Sequence, residues 1–327
     1  MNSIQPQKLK AGDEVKVIAP AKSFRENFVQ TKLDKTIEYF KNELGLRITL
    51  GKYVFEVDEF DTAPLEHRLE DFHEAFSDQN VKGILTVLGG TNSNQLLKYI
   101  DYDLVAKNPK IFCGLSDITA PANAIYSKTG LITYSGPHFT VFGRDQNLDY
   151  TKEYFKKALF FSESFALKPA STYFDSRSEK EEPLSNSEGY WVMQEGSAEG
   201  YAVGGNLITL NLLQGTEYYP SLKDKIVFVE DNDKEIFRAF ENHLQSLILQ
   251  KDFNTIRGLI IGRFQKESRL TRELLQKIID TKKELKNVPI IANVDFGHTV
   301  PMITLPVGGY IEMKIRKDNS EISVEVF

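Results

Sequence analysis

The stretch Phe112-Cys113-Gly114-Leu115-Ser116-Asp117-Ile118-Thr119 passes from an apolar strand, Lys110 to Cys113, into a helix over Ile118 to Lys128, with a glycine at the join. The same succession brackets it on both sides. Upstream, Val15-Lys16-Val17-Ile18-Ala19-Pro20 is a β-branched run closed by proline, after which Phe28, Leu33, Ile37, Phe40 and Leu44 recur at helical spacing. Leu46 to Leu50 then reads as a strand and Leu65, Leu69, Phe72 and Phe76 as a helix face, followed by a strand from Gly83 to Leu88 and a helix over Asn94 to Ile100. Downstream, Leu131 to Tyr134 is one more strand. Strands alternating with helices predict a mostly parallel sheet covered on both faces. Ligands of such sheets sit beyond the carboxyl ends of the strands, so the residues just after each strand are the ones to search.

The alternation breaks where Pro169, Ser171 and the mixed-charge run Arg177-Ser178-Glu179-Lys180-Glu181-Glu182-Pro183 lead into a Ser/Asn-rich turn. This predicts an amino-terminal domain over 1–165, a linker with an exposed loop over 166–196, and a second α/β domain over 197–327. In that second part Tyr201 to Gly205, Ile226 to Glu230, Ile256 to Ile261 and Val288 to Val294 read as strands. Helices are expected from Asn206, over Glu235 to Gln250, and up to Leu285. Tyr310 to Arg316 and Glu321 to Phe327 alternate with period two around Asp318-Asn319, as a hairpin does.

Composition narrows the function. The chain has 327 residues, 41% of them hydrophobic and 26% charged, which suits two globular domains and excludes fibrous or low-complexity classes. A net charge of -6 without any Lys/Arg block argues against nucleic acid and for a small-molecule partner. Met1 to Gly12 lacks the apolar core of a secretory signal, and no run approaches the ~18 apolar residues of a membrane span, so cytoplasmic residence is expected. The single cysteine, Cys113, excludes a disulfide framework and cysteine-based metal sites. Its place inside a strand makes it a core residue rather than a nucleophile.

Ser116 stands where a strand gives way to a helix, so its hydroxyl is lifted onto a sharp turn beside free helix N–H groups. That is the setting of a nucleophilic serine, but in this segment alone a helix cap is the commoner use of it. The stretch is not the G-x-S-x-G elbow, since Ile118 stands at the last glycine position. A nucleophile needs a base, and there are five histidines. His67, His73 and His243 lie within helices, whereas His138 and His298 follow strands in loops, His298 between Gly297 and Thr299-Val300-Pro301. An orienting acid is available at the end of the strand Ile226 to Glu230, from Glu230, Asp231 or Asp233; the two aspartates suit capping of the next helix. Gly89-Gly90-Thr91-Asn92-Ser93-Asn94, also at a strand end, lets a ligand approach the backbone and exposes N–H groups to an oxyanion. It carries neither the lysine of a P-loop nor a dinucleotide fingerprint, and no metal or cofactor is expected.

Together these segments resemble the LD-carboxypeptidase family of serine peptidases, and within it the microcin C immunity (MccF-like) branch. The resemblance is carried by Leu88 to Asn94, Asn108 to Phe112 with Gly114 to Thr119, Gly204-Gly205-Asn206-Leu207, Phe228-Val229-Glu230-Asp231 and Asn293 to Thr299. It implies a flavodoxin-like first domain, a mixed α/β second domain, a homodimer, and a triad of Ser116, Glu230 and His298. It further implies an oxyanion hole from the N–H groups of Gly90 and Asp117, which leaves the Asp117 side chain to cap its helix. Gly89 and Thr91 would line the substrate site, and Trp191, the sole tryptophan, stands in the stretch Gly189-Tyr190-Trp191-Val192, where a loop aromatic could close over substrate or pack the linker. Family members hydrolyse either peptidyl or aminoacyl nucleotides or L,D-linked muropeptides. Tyr134 to Phe139 and Leu213 to Glu217 favour the first. A non-catalytic α/β ligand-binding module is the reading of another class.

Overall fold

The computed structural model describes residues 3–175, 184–232 and 237–325. The charged run Arg177 to Pro183, Asp233 and the start of the helix expected at Glu235 lie outside the described residues. Five parallel strands open the chain: β1 (Glu14–Ile18), β2 (Arg47–Leu50), β3 (Val81–Thr86), β4 (Ile111–Gly114) and β5 (Thr133–Ser135). Their spatial order, β2-β1-β3-β4-β5, is that of flavodoxin. Between them run α1 (Glu26–Thr31), α2 (Leu33–Leu44), α3 (Leu65–Ser77), α4 (Tyr102–Lys107) and α5 (Thr119–Thr129), with α6 (Asp149–Leu159) after β5.

Period-two alternation divides each strand between two cores. Val15, Val17, Leu85, Ile111 and Cys113 face Phe40 of α2 and Phe155 of α6. Ile18, Ile84 and Phe112 face Phe72 and Phe76 of α3 and Ile125 of α5. Cys113 is fully buried, and burial pushes its thiol far up. The helix expected over Asn94 to Ile100 is only a 3-10 turn, Ser93–Leu96. The last apolar residues there, Leu96, Leu97 and Ile100, still pack into the core, which is why their spacing looks helical.

The second sheet has β10 (Gly196–Asn206), β11 (Ile226–Glu230), β12 (Gly258–Gly262) and β13 (Ile290–Val294) in parallel at its centre. The amino-terminal half of β10 pairs antiparallel with β15 (Tyr310–Ile315), which continues the hairpin with β16 (Glu321–Glu325). α7 (Leu207–Asn211), α8 (Phe237–Ile248) and α9 (Arg272–Asp280) accompany it. The linker expectation for 166–196 needs correction. Its ends belong to this sheet, as β6 (Phe165–Ala166) beside β16 and β9 (Trp191–Gln194) beside β13, with a small hairpin of β7 (Thr172–Tyr173) and β8 (Ser185–Asn186) between. Strands this short at a sheet edge carry too few residues to show a period. In the opposite sense, β14 (Leu305–Val307) leaves the carboxy-terminal part and pairs antiparallel with β5, so the two sheets are stitched together. Among the described residues no helix is long and apolar enough to cross a membrane.

The close β10–β11 pairing leaves no room at Gly204, whose φ is 146° and whose added Cβ would overlap the Phe228 carbonyl oxygen. Gly204→Ala is therefore expected to cost about 3 kcal/mol or more, read as a fall in the denaturant midpoint at unchanged slope.

Candidate active site

Three strand ends meet at one point. β4 ends at Gly114, and the chain turns through Ser116 into a 3-10 turn that continues as α5. Ser116 itself has φ 62°, a left-handed conformation that costs a side-chain-bearing residue on the order of 1 kcal/mol and is kept where a site needs it. Its Oγ lies 3.1 Å from His298 Nε2, and His298 Nδ1 lies 2.7 Å from Glu230 Oε2. A carboxylate can only accept, so Nδ1 carries the proton and the Nε2 lone pair faces the serine hydroxyl. This is the arrangement in which an imidazole can take a proton from a hydroxyl while an acid holds it in place.

Glu230 ends β11 and is wholly buried. Its second oxygen, Oε1, accepts from Asn206 Nδ2 at 3.0 Å, the residue directly opposite in the β10–β11 register. Asn206 is fixed in turn: its Oδ1 accepts from Thr209 N and Oγ1, capping α7, and its backbone N–H donates to Thr119 Oγ1 of α5. Gly297 precedes the histidine because a Cβ there would lie 2.8 Å from Glu230 Oε2. The sequence marks Asn206 as a helix start and not as a partner of the acid. The available signal was an amide-bearing cap at a strand end next to the acid's strand.

The loop after β3 completes the site. Gly89 touches the serine so closely that a Cβ would meet Ser116 Cβ at 2.9 Å. Asp117, expected to cap its own helix, does something else. Its buried Oδ2 accepts from Asn92 N at 3.0 Å and Ser93 N at 2.8 Å, and Ser93 Oγ donates back to the Asp117 carbonyl. The carboxylate thus anchors the glycine loop beside the serine, because the orphan N–H groups of that neighbouring turn are the ones within reach. Burial raises its pKa.

A cavity of about 590 Å³ opens onto Ser116 and His298, bordered also by Gly89, Gly90, Thr91 and Asp117. Trp191 does not border it. The residue sits in edge strand β9 and not in a loop, paired with Ala292 and packed against the core of the second sheet, which is the packing alternative. The other histidines are accounted for locally. His67 pairs with Glu56, His73 Nε2 accepts from Asp101 N, and His243 faces Asp231, whose pKa burial raises. His138 borders the same cavity, its Nδ1 2.8 Å from Thr86 Oγ1 and its Nε2 buried without a hydrogen-bond partner among the described residues. Burial, with His298 nearby, lowers its pKa to about 3, so it is neutral at ordinary pH. Among the described residues no group of three or more His, Cys, Asp or Glu side chains is placed to hold a metal.

Sequence profiles of the LD-carboxypeptidase N-terminal and C-terminal domains match residues 15–136 and 199–313. The chain belongs to the LD-carboxypeptidase family. It is a serine-type carboxypeptidase. YocD of Bacillus subtilis (strain 168) is 44% identical over 97% of the chain and 98% of YocD. The crystal structure of an MccF-like protein from Bacillus anthracis superposes with a TM-score of 0.94 at 43% identity, over 99% of this chain and all of that one. The microcin C7 self-immunity protein MccF of Escherichia coli is 32% identical over 87% of the chain and 86% of MccF; its structure with glutamyl sulfamoyl guanosine superposes with a TM-score of 0.87 at 28% identity, covering 98% of both chains.

In Asn206→Ala the buried Glu230 oxygen loses its donor, and unfolding should become easier by about 2–3 kcal/mol in denaturant titration. His138 is pulled below its unfolded value near 6.5, so its contribution to stability is full above that pH and is lost as pH falls toward about 3. Across that window the His138→Gln variant should lack up to about 1.4 kcal/mol per pH unit of the wild-type slope, measured by unfolding at stepped pH.

Proposed function

We propose that the chain hydrolyses an amide bond by acyl transfer, with Ser116 as nucleophile, His298 as general base and Glu230 as the acid that orients it. The observation that carries this is the unbroken line of contacts from Ser116 Oγ through the imidazole to a fully buried carboxylate. His298 takes the serine proton as Oγ attacks the amide carbonyl, then passes it to the departing amine. The N–H groups of Gly90 and Asp117 receive the oxyanion, a contribution of about 3–4 kcal/mol per donor in enzymes of this type. Water, deprotonated by His298, then attacks the acyl-enzyme and frees Ser116.

For substrate, the similarity to MccF and to an MccF-like protein supports a peptidyl or aminoacyl nucleotide, since MccF is the protein seen with glutamyl sulfamoyl guanosine. The cavity is large enough for such a compound. The family description equally names L,D-bond cleavage, which makes a muropeptide the second reading.

Ser116→Ala should lower kcat by 10⁴-fold or more, as members of a triad act as a unit. A fluorophosphonate should label the wild type and Cys113→Ala but not Ser116→Ala; an unlabelled wild type would point to a binding module. Chromatography of digests of an aminoacyl sulfamoyl adenosine and of a muramoyl tetrapeptide shows which is cleaved, and cleavage of the tetrapeptide alone overturns the nucleotide reading.

A further inference from the structure

The two walls of the cavity differ in charge. On the amino-terminal domain's side stand Lys22, Arg25 and Lys32, around the short helix α1, and Arg144. The second domain contributes Asn206, Ile208, Thr209, Leu212, Asn232 and Gln265, none of them charged. Among the described residues the one carboxylate that borders the cavity is Asp117, whose side chain is already committed to the glycine loop. Acids do lie behind the cationic wall: Lys22 pairs with Asp61, and Asp145 feels the charge of Lys32. Arg25 nevertheless keeps an exposed side chain and Lys32 a half-buried one. In a chain of net charge -6 this wall is a local reversal of sign, and a cleft walled by one sign focuses that potential on what enters it.

We infer that this wall is an anion subsite which receives the leaving half of the substrate, and so fixes which side of the scissile amide faces which domain. The inference rests on the hydrolase reading above. In a carboxypeptidase the departing amine carries the free carboxylate; in an aminoacyl nucleotide joined through a P–N bond it carries an ionised phosphoryl group. Both are anions one or two bonds from the amine, and both suit Arg25 and Lys32. The acyl half then lies along the uncharged second wall.

The test uses the intact chain and the variant Arg25→Gln/Lys32→Gln, both surface changes outside the serine–histidine–glutamate line. With a tetrapeptide as free acid and as carboxamide, the wild type should prefer the acid at least tenfold in kcat/KM. The preference should shrink between about 50 and 500 mM salt, where screening shortens to a few ångströms. In the variant it should drop to about twofold, through KM with kcat kept. In the nucleotide arm, inhibition by AMP should weaken about tenfold in the variant while inhibition by adenosine stays level. An effect in the first arm alone assigns the wall to a carboxylate, and in the second alone to a phosphoryl group. Equal losses for acid and amide and for AMP and adenosine, or no loss in either arm, overturn the subsite. Retained fluorophosphonate labelling in that outcome leaves the hydrolase reading standing; absent labelling in the wild type removes both.

Discussion

The rest of the site depends on a carboxylate kept out of water. Glu230 is wholly buried, and an ionised group in that position is tolerated only if each oxygen has a donor. Asn206 and His298 are those donors, one oxygen each. Much of the local sequence answers to this requirement. Gly297 leaves space for the carboxylate, as does Gly262, whose Cβ would press on Glu230 Cβ at 2.8 Å. Asn206 is locked by Thr209 and Thr119, so that its amide cannot turn away. The imidazole, fixed at Nδ1 by the acid, can then offer only its lone pair to Ser116.

That constraint reaches across both domains. The serine comes from the first sheet, the acid and histidine from the second, and hydrogen bonds at this length tolerate only tenths of an ångström of drift. The two sheets are therefore not hinged as separate bodies in sequence. β14 carries the chain back from the histidine loop to pair with β5, and the Asn206 backbone donates to Thr119 just after the serine turn. A buried Arg263–Asp295 ion pair braces the loop from the other side, with Asp295 also accepting from Ala170 N. The cavity lies in this seam, which is how its two walls come to have different charge.

Much of this was legible beforehand. The strand-to-helix stretches around Val15 and Phe112 carry enough apolar periodicity to announce a parallel sheet, and Ser116, Glu230 and His298 each follow a strand that reads clearly. Less visible were β6, β9 and β14, edge strands of only a few residues whose pairing is made by a distant partner. Trp191 stands in one of them, β9, and not in a loop. Asp117 was misread because a capping residue is identified by its own helix, whereas the N–H groups it satisfies belong to a neighbouring loop.

The sequence by itself determined the parallel strands β1 to β5 and β10 to β13, the burial of Cys113 and the residue types at the ends of these strands, since these follow from periodicity and from the backbone needs of glycine and of helix starts. Only the tertiary structure decided that Asn206 holds the acid, that His138 is buried at the cavity, and that Lys22, Arg25, Lys32 and Arg144 border it together. Those facts depend on which strand ends lie side by side, and strand pairing is set by packing between residues far apart in the chain.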